Sequence, residues 1–141
     1  MGRPPLPRIA HDTVAVGWAS VELDRAVAEL QPMVGPDVLF VDADRSVALG
    51  ARCRIGSGTI AATALAVRLV ILEPDTEGRL AAFLARSGEG WVATWSIDPD
   101  AGATVAEGAW RPGPFGLERL DGRPATGDPF RMLVAAATIE P

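Results

Sequence analysis

From residue 67 to residue 95 the chain reads VRLVILEPDTEGRLAAFLARSGEGWVATW, two apolar runs on either side of a short amphipathic stretch. The first run stops at Pro74 and predicts a strand, since proline cannot donate to a continuing ladder. Asp75 or Thr76 can cap the helix that follows, Leu80, Phe83 and Leu84 form its apolar stripe, and Gly88 closes it. Trp91 to Ile97 returns as a strand. A linker helix over about 75–88 thus divides one α+β domain, 1–141, into units of about 10–74 and 89–141.

In the first unit Thr13 to Val21 alternates small with large side chains. Thr13, Ala15, Gly17 and Ala19 share one face and Val14, Val16 and Trp18 the other, as in a strand bordering a lightly filled concavity. Leu23, Ala26, Val27 and Leu30 recur at helical spacing, with Glu22 and Asp24 at the start, where the helix dipole favours negative charge, and Pro32 near the stop. Val38 to Val41 reads as a short strand, Asp42-Ala43-Asp44 as a turn and Ser46 to Ile55 as a strand. Gly56-Ser57-Gly58 reads as a break, and Thr59 to Leu72 as a further strand. The order is β-α-β-β-β. The second unit echoes it with a strand at Trp91–Ile97, a weak helix at Gly102–Ala109, and strands at Phe115–Leu120 and Phe130–Ile139. It is one strand short, or has that strand rebuilt as the Pro/Gly-rich loop around 111–114.

Composition narrows the function classes. A net charge of −5 argues against nucleic acid, whose phosphates call for a basic face. No apolar run approaches the roughly 20 residues of a spanning helix, so no membrane partner is expected. The arm MGRPPLPRIA has no apolar core like that of a signal peptide, which makes the cytoplasm the expected compartment. Cys53 is the single cysteine and reads as a small buried thiol. All 13 basic residues are arginine, and lysine, asparagine and tyrosine are absent, which hints at a GC-rich bacterium and removes Schiff-base and tyrosine acid–base chemistry. Gly56-Ser57-Gly58 and Gly113-Pro114-Phe115-Gly116 lack the spacing of a phosphate-binding loop and read as turns.

The segments DTVAVGWASVELDRAVAEL, VRLVILEP…FLARSGEGWVATW and RMLVAAATIEP, in this order and spacing, resemble the vicinal-oxygen-chelate superfamily of glyoxalases, bleomycin-resistance proteins and extradiol dioxygenases. The resemblance implies two βαβββ-type units whose sheets curl into a cup that holds metal and substrate, and a homodimer. It also implies metal ligands of the His, Glu or Gln type on the opening and closing strands, and those places fall at Thr13, Val70, Ala93 and Ala137. A threonine hydroxyl and three hydrocarbon groups do not make a divalent-metal site. The expectation is therefore a degenerate member with no metal and no other cofactor. His11, the sole histidine, shares a strand face with Thr13 but cannot form a site alone.

Small walls at Thr13, Ala15, Gly17, Ala93, Ala135 and Ala137 predict a cup opened for a bulky apolar guest. Trp91 and Trp95 alternate with Ala93 and are expected to face it, Arg68 shares a face with Val70 and places a cation near it, and Thr13 completes the candidate ligand-binding set. Arg52 and Arg54 read as surface charge, with anion binding as the sharper alternative, and Glu73, Glu89 and Glu107 are weak candidates for a general base. No catalytic residue is assigned. Three functions stay open: a metal-free protein that sequesters or carries a small hydrophobic or aromatic molecule; a metal-independent isomerase, cyclase or lyase acting on a polyketide-like or acidic substrate; and a non-catalytic interaction subunit.

Overall fold

A computed structural model of the chain describes residues 9, 12–60, 67–98, 110–121 and 130–135. Its first unit comprises β1 (Thr13–Ala19), α1 (Leu23–Val34), β2 (Phe40–Ser46), β3 (Ala51–Thr59) and β4 (Arg68–Pro74). After α2 (Arg79–Ser87), the second comprises β5 (Gly90–Asp98), β6 (Arg111–Gly113), β7 (Gly116–Leu120) and β8 (Phe130–Ala135). All eight strands form one sheet in the order β2-β3-β4-β1-β5-β8-β7-β6, so the two units repeat the same strand plan and meet along β1 and β5. The β1–β4 and β5–β8 pairs are parallel and the others antiparallel.

The sheet curls until its two edges nearly meet. The Val47 N–H, just past β2, donates to the Pro112 carbonyl of β6 at 3.1 Å. One sheet face carries α1, whose Leu23, Ala26, Leu30, Met33 and Val34 pack on Val16, Leu69 and Ile71. Each large aliphatic side chain buried there contributes about 1.5–3 kcal/mol. The other face lines the cup, and its cluster joins Ala15, Ala19, Val70, Leu72, Trp95, Met132 and Val134 to Leu80 of α2.

The second unit is not short of a strand: Arg111–Gly113 is β6, paired with β7 from Arg111↔Glu118 to Gly113↔Gly116. Pro112 is tolerated because β6 lies at the sheet edge, where a missing N–H breaks no ladder. Asp42-Ala43-Asp44 is strand, not turn; the chain reverses instead after Ser46, with Gly50 at φ 73° and its N–H donating to the Ser46 carbonyl. Gly56-Ser57-Gly58 lies within β3, but it breaks the β3–β4 register, which shifts between Ile55 and Thr59. The next strand begins at Arg68, and 61–66 are outside the described residues. Neither Asp75 nor Thr76 caps α2, which starts after Gly78 without a side-chain cap while Asp75 pairs with Arg45. Gly102–Ala109 and the end of the last strand, with Ala137, also lie outside the described residues.

Candidate functional site

Ala15, Gly17 and Ala19 of β1 do face the cup, yet the space above Gly17 is not open. Trp95 lies over Gly17 so closely that a Cβ added there would come within 2.7 Å of the indole Cζ3. Phe115 meets the same indole edge-on, with ring centroids 6.0 Å apart, and Trp95 is 0% exposed. The volume conceded by Gly17 is filled from within by one large aromatic ring.

Beside Trp95 is a carboxyl group that sequence reasoning passed over. Glu118 of β7 is fully buried, accepting from Trp95 Nε1–H at 2.9 Å on Oε1 and from Ser46 Oγ–H at 2.6 Å on Oε2. Ser46 belongs to the first unit and Glu118 to the second, so this carboxyl spans the gap between the sheet edges. Gly113 makes the arrangement possible, since any Cβ there would overlap the Glu118 side chain. Burial pushes the Glu118 pKa up to about 7, against the pull of the Ser46 and Trp95 hydrogen bonds. Apolar patterning gives no hint of this: in Gly116-Leu117-Glu118-Arg119-Leu120 it is Leu117 that is exposed and Glu118 that is inside. Cys53 lies in the same cluster, its thiol pushed up to about 12 chiefly by burial.

The predicted ligand-binding residues separate. Arg68 is half-buried on the cup-facing side of β4, as its parity with Val70 and Leu72 requires, and Trp95 faces the cup. Trp91 does not share that face. It packs in the α1-side cluster, edge-on to Trp18 with centroids 5.1 Å apart. The cause is a bulge: Gly17 opposes Ala93 but Trp18 opposes Trp91, so one extra β5 residue inverts the alternation. A second irregularity acts on Thr13, which opposes Ser96 while Ala15 opposes Trp95. Cross-strand partners share a face, and because Trp95 and Ile97 pack towards the cup, Ser96 and Thr13 face away from it.

The register also tests the metal places. Val70, Gly17 and Ala93 lie side by side across β4, β1 and β5. Thr13 is four residues further along β1, about 13 Å away at strand rise, on the opposite face. The side chains facing the cup in this row are hydrocarbon or absent, and the Trp95 ring occupies the space above Gly17, so the described places at Thr13, Val70 and Ala93 do not fit a divalent cation. Among the described residues no group of three or more His, Cys, Asp or Glu could hold a metal ion.

The other charged candidates hold structure together. Glu89 takes the Val21 N–H at 2.9 Å, the Ser20 hydroxyl at 3.0 Å and the Arg25 guanidinium. Burial works to raise its pKa, but these partners outweigh burial and hold it below the usual carboxylate value. Glu73 pairs with Arg52 at 2.9 Å, and Arg54 bridges Asp24 at 2.6 Å and Asp42 at 3.1 Å. Glu107 and His11 lie outside the described residues.

Open space is found at the rim, next to the seam. A hollow of about 310 Å³ is lined by Val47 and Ala48 of the β2–β3 turn, Arg79 of α2, Arg111 of β6, and Arg119 and Leu120 of β7. Three of its six walls are arginines. The sequence reading singled out none of them, because Arg79 of α2 is distant in the chain from Arg111 and Arg119 of the β6–β7 hairpin.

No protein-family profile and no curated protein matches the sequence. Solved structures do match. A variant of Streptomyces coelicolor methylmalonyl-CoA epimerase in complex with 2-nitronate-propionyl-CoA superposes with a TM-score of 0.64 at 21% identity, covering 89% of this chain and 97% of that one. The Mycobacterium tuberculosis methylmalonyl-CoA epimerase gives 0.60 at 20% identity over 92% and 89% of the two chains. A hypothetical protein from Bacillus halodurans C-125 gives 0.58 at 16% over 86% and 91%. With the mirrored strand order and the curled eight-stranded sheet, these likenesses establish that the chain has the vicinal-oxygen-chelate fold.

Proposed function

We propose that this protein binds a small molecule without a metal, and that the ligand sits at the rim of the cup and not at its centre. The observation that carries the reading is the contrast between the two places: Trp95 and its neighbours fill the centre, whereas about 310 Å³ stays open beside the seam. That volume is at the lower end for ligand pockets and suits a compact organic molecule or one end of a larger one. Methylmalonyl-CoA epimerase has been solved with methylmalonyl-CoA, so short acyl thioesters and their free acids are the first compounds to try.

A metal-independent enzyme is less well supported, because the carboxyl nearest the centre is enclosed and already engaged by two donors. A non-catalytic interaction subunit is the second reading, favoured by the filled centre. Native mass spectrometry and thermal-shift measurements with a panel of small acids and thioesters separate the two. The expected result is a bound compound that is lost in Val47→Trp, where an indole fills the hollow. Undiminished binding in that variant would place the ligand elsewhere, and no binding across the panel would favour the interaction subunit. Elemental analysis should find no stoichiometric Zn, Fe, Ni, Mn or Co; about one such ion per chain surviving mild chelation would overturn the metal-free part.

A further inference from the structure

The hollow at the rim has a chemical character that the fold alone does not supply. Its walls are Arg79, Arg111 and Arg119 on one side of the balance and Val47, Ala48 and Leu120 on the other. Three of the chain's 13 arginines converge there in a protein of net charge −5. Elsewhere among the described residues Arg25, Arg45, Arg52, Arg54 and Arg131 pair with carboxylates, whereas the six residues that line the hollow include none. At the hollow Arg119 is held by Asp98 at 3.1 Å with its guanidinium 5.7 Å from the Trp110 ring centre, and Arg111 donates to the Trp110 carbonyl at 3.1 Å. These anchors orient two of the guanidinium groups, while Arg79 stands exposed at the first position of α2.

Guanidinium groups present paired donors that match the oxygens of a carboxylate or a phosphate, and gathering like charges around a concavity favours an anion inside it. The apolar residues of the same wall would cover a short hydrocarbon body. We propose that this hollow is an anion-recognising site for a small organic acid, a carboxylate or phosphate monoester carrying a compact apolar group. The proposal rests on the rim-binding reading above and adds the chemical class of the ligand.

Isothermal titration calorimetry with phenyl phosphate, benzoate and uncharged benzyl alcohol tests it, at low and at moderate salt. Phenyl phosphate and benzoate should bind and benzyl alcohol should not, with binding weakened by salt because the site is open to solvent. Whichever of the two anions binds more tightly identifies the headgroup. The double variant Arg79→Gln, Arg111→Gln should lose about tenfold or more in affinity for the anions, as expected for removing two partly exposed charge-assisted contacts. Arg52→Gln, which removes the same charge away from the hollow, should bind as the wild type does, and circular dichroism confirms that each variant is folded. Equal binding of benzyl alcohol and phenyl phosphate would overturn the anion assignment while leaving a small-molecule function standing. Anion binding unchanged in the double variant would move the site elsewhere and likewise overturn it, and failure of both anions to bind would do so directly.

Discussion

Replacing Glu118 by glutamine should make the protein's stability less sensitive to pH, and the size of the effect follows from burial. With its pKa moved from 4.5 to about 7, Glu118 holds a proton in the folded state over a range where the unfolded chain has lost it. The slope of unfolding free energy with pH is proportional to protons bound by the unfolded state minus those bound by the folded state, here negative. Stability from this group is therefore fully present below pH 4.5, declines between about 4.5 and 7, and is flat above. At about 1.4 kcal/mol per pKa unit the total loss is about 3 kcal/mol. Glutamine is nearly isosteric, can accept from Trp95 through Oε1 and donate to Ser46 through its amide, and does not ionise. Glu118→Gln should thus be close to the wild type at pH 4.5 and more stable by about 3 kcal/mol at pH 8, or about 10 °C in melting temperature for a chain of this length. Urea unfolding of both proteins at pH steps from 4.5 to 8.5 gives the difference directly, and titrations common to both cancel. If the two curves run parallel to within about 0.5 kcal/mol, the carboxyl is not buried as described and the seam is hydrated.

Cys53, with a thiol pushed up to about 12, should resist a thiol reagent at pH 8 in the native protein and react promptly in urea; stoichiometric labelling of the folded form would contradict its burial. Gly17→Ala places a methyl group against the Trp95 ring and should cost about 1–3 kcal/mol, with much of that recovered in combination with Trp95→Phe. Additive losses in that double-mutant cycle would show that the two positions do not touch. A homodimer is expected from the resemblance and from apolar side chains such as Leu39 and Val41 exposed near the β2 edge. Light scattering at micromolar concentration checks this, and a strict monomer would count against it.

The architecture was legible because patterns of period two and 3.6 survive without knowledge of the partners: β1, α1, β5 and the linker helix fall where their apolar spacing puts them. At 111–114 the sequence leaves open whether a strand is present, because Arg-Pro-Gly carries no strand signal and β6 exists only by pairing with β7. The candidate site was harder. Parity counting assigns a face only while a strand runs unbroken, and the irregularities between Thr13 and Ala15 and between Gly17 and Trp18 turned Thr13 and Trp91 away, while Trp95 and Arg68 kept the expected side. Small walls read as open volume, whereas the Trp95 ring occupies the space above Gly17. The arginine hollow and the Ser46–Glu118–Trp95 contact are both products of closure, which brings residues 72 and 23 positions apart within hydrogen-bonding distance of one carboxyl.

The overlap that any Cβ at Gly113 would make with Glu118 ties two positions into one inherited unit. A mutation at Gly113 has no neutral course while the long carboxyl remains, and shortening Glu118 alone strips the partners from Ser46 and Trp95. Lineages that carry this seam must therefore keep glycine at 113 for as long as position 118 holds a side chain of this length, whether glutamate or glutamine. The junction between the two halves of the cup thus constrains a residue, Gly113, that touches neither Ser46 nor Trp95 in the hydrogen bonds it protects.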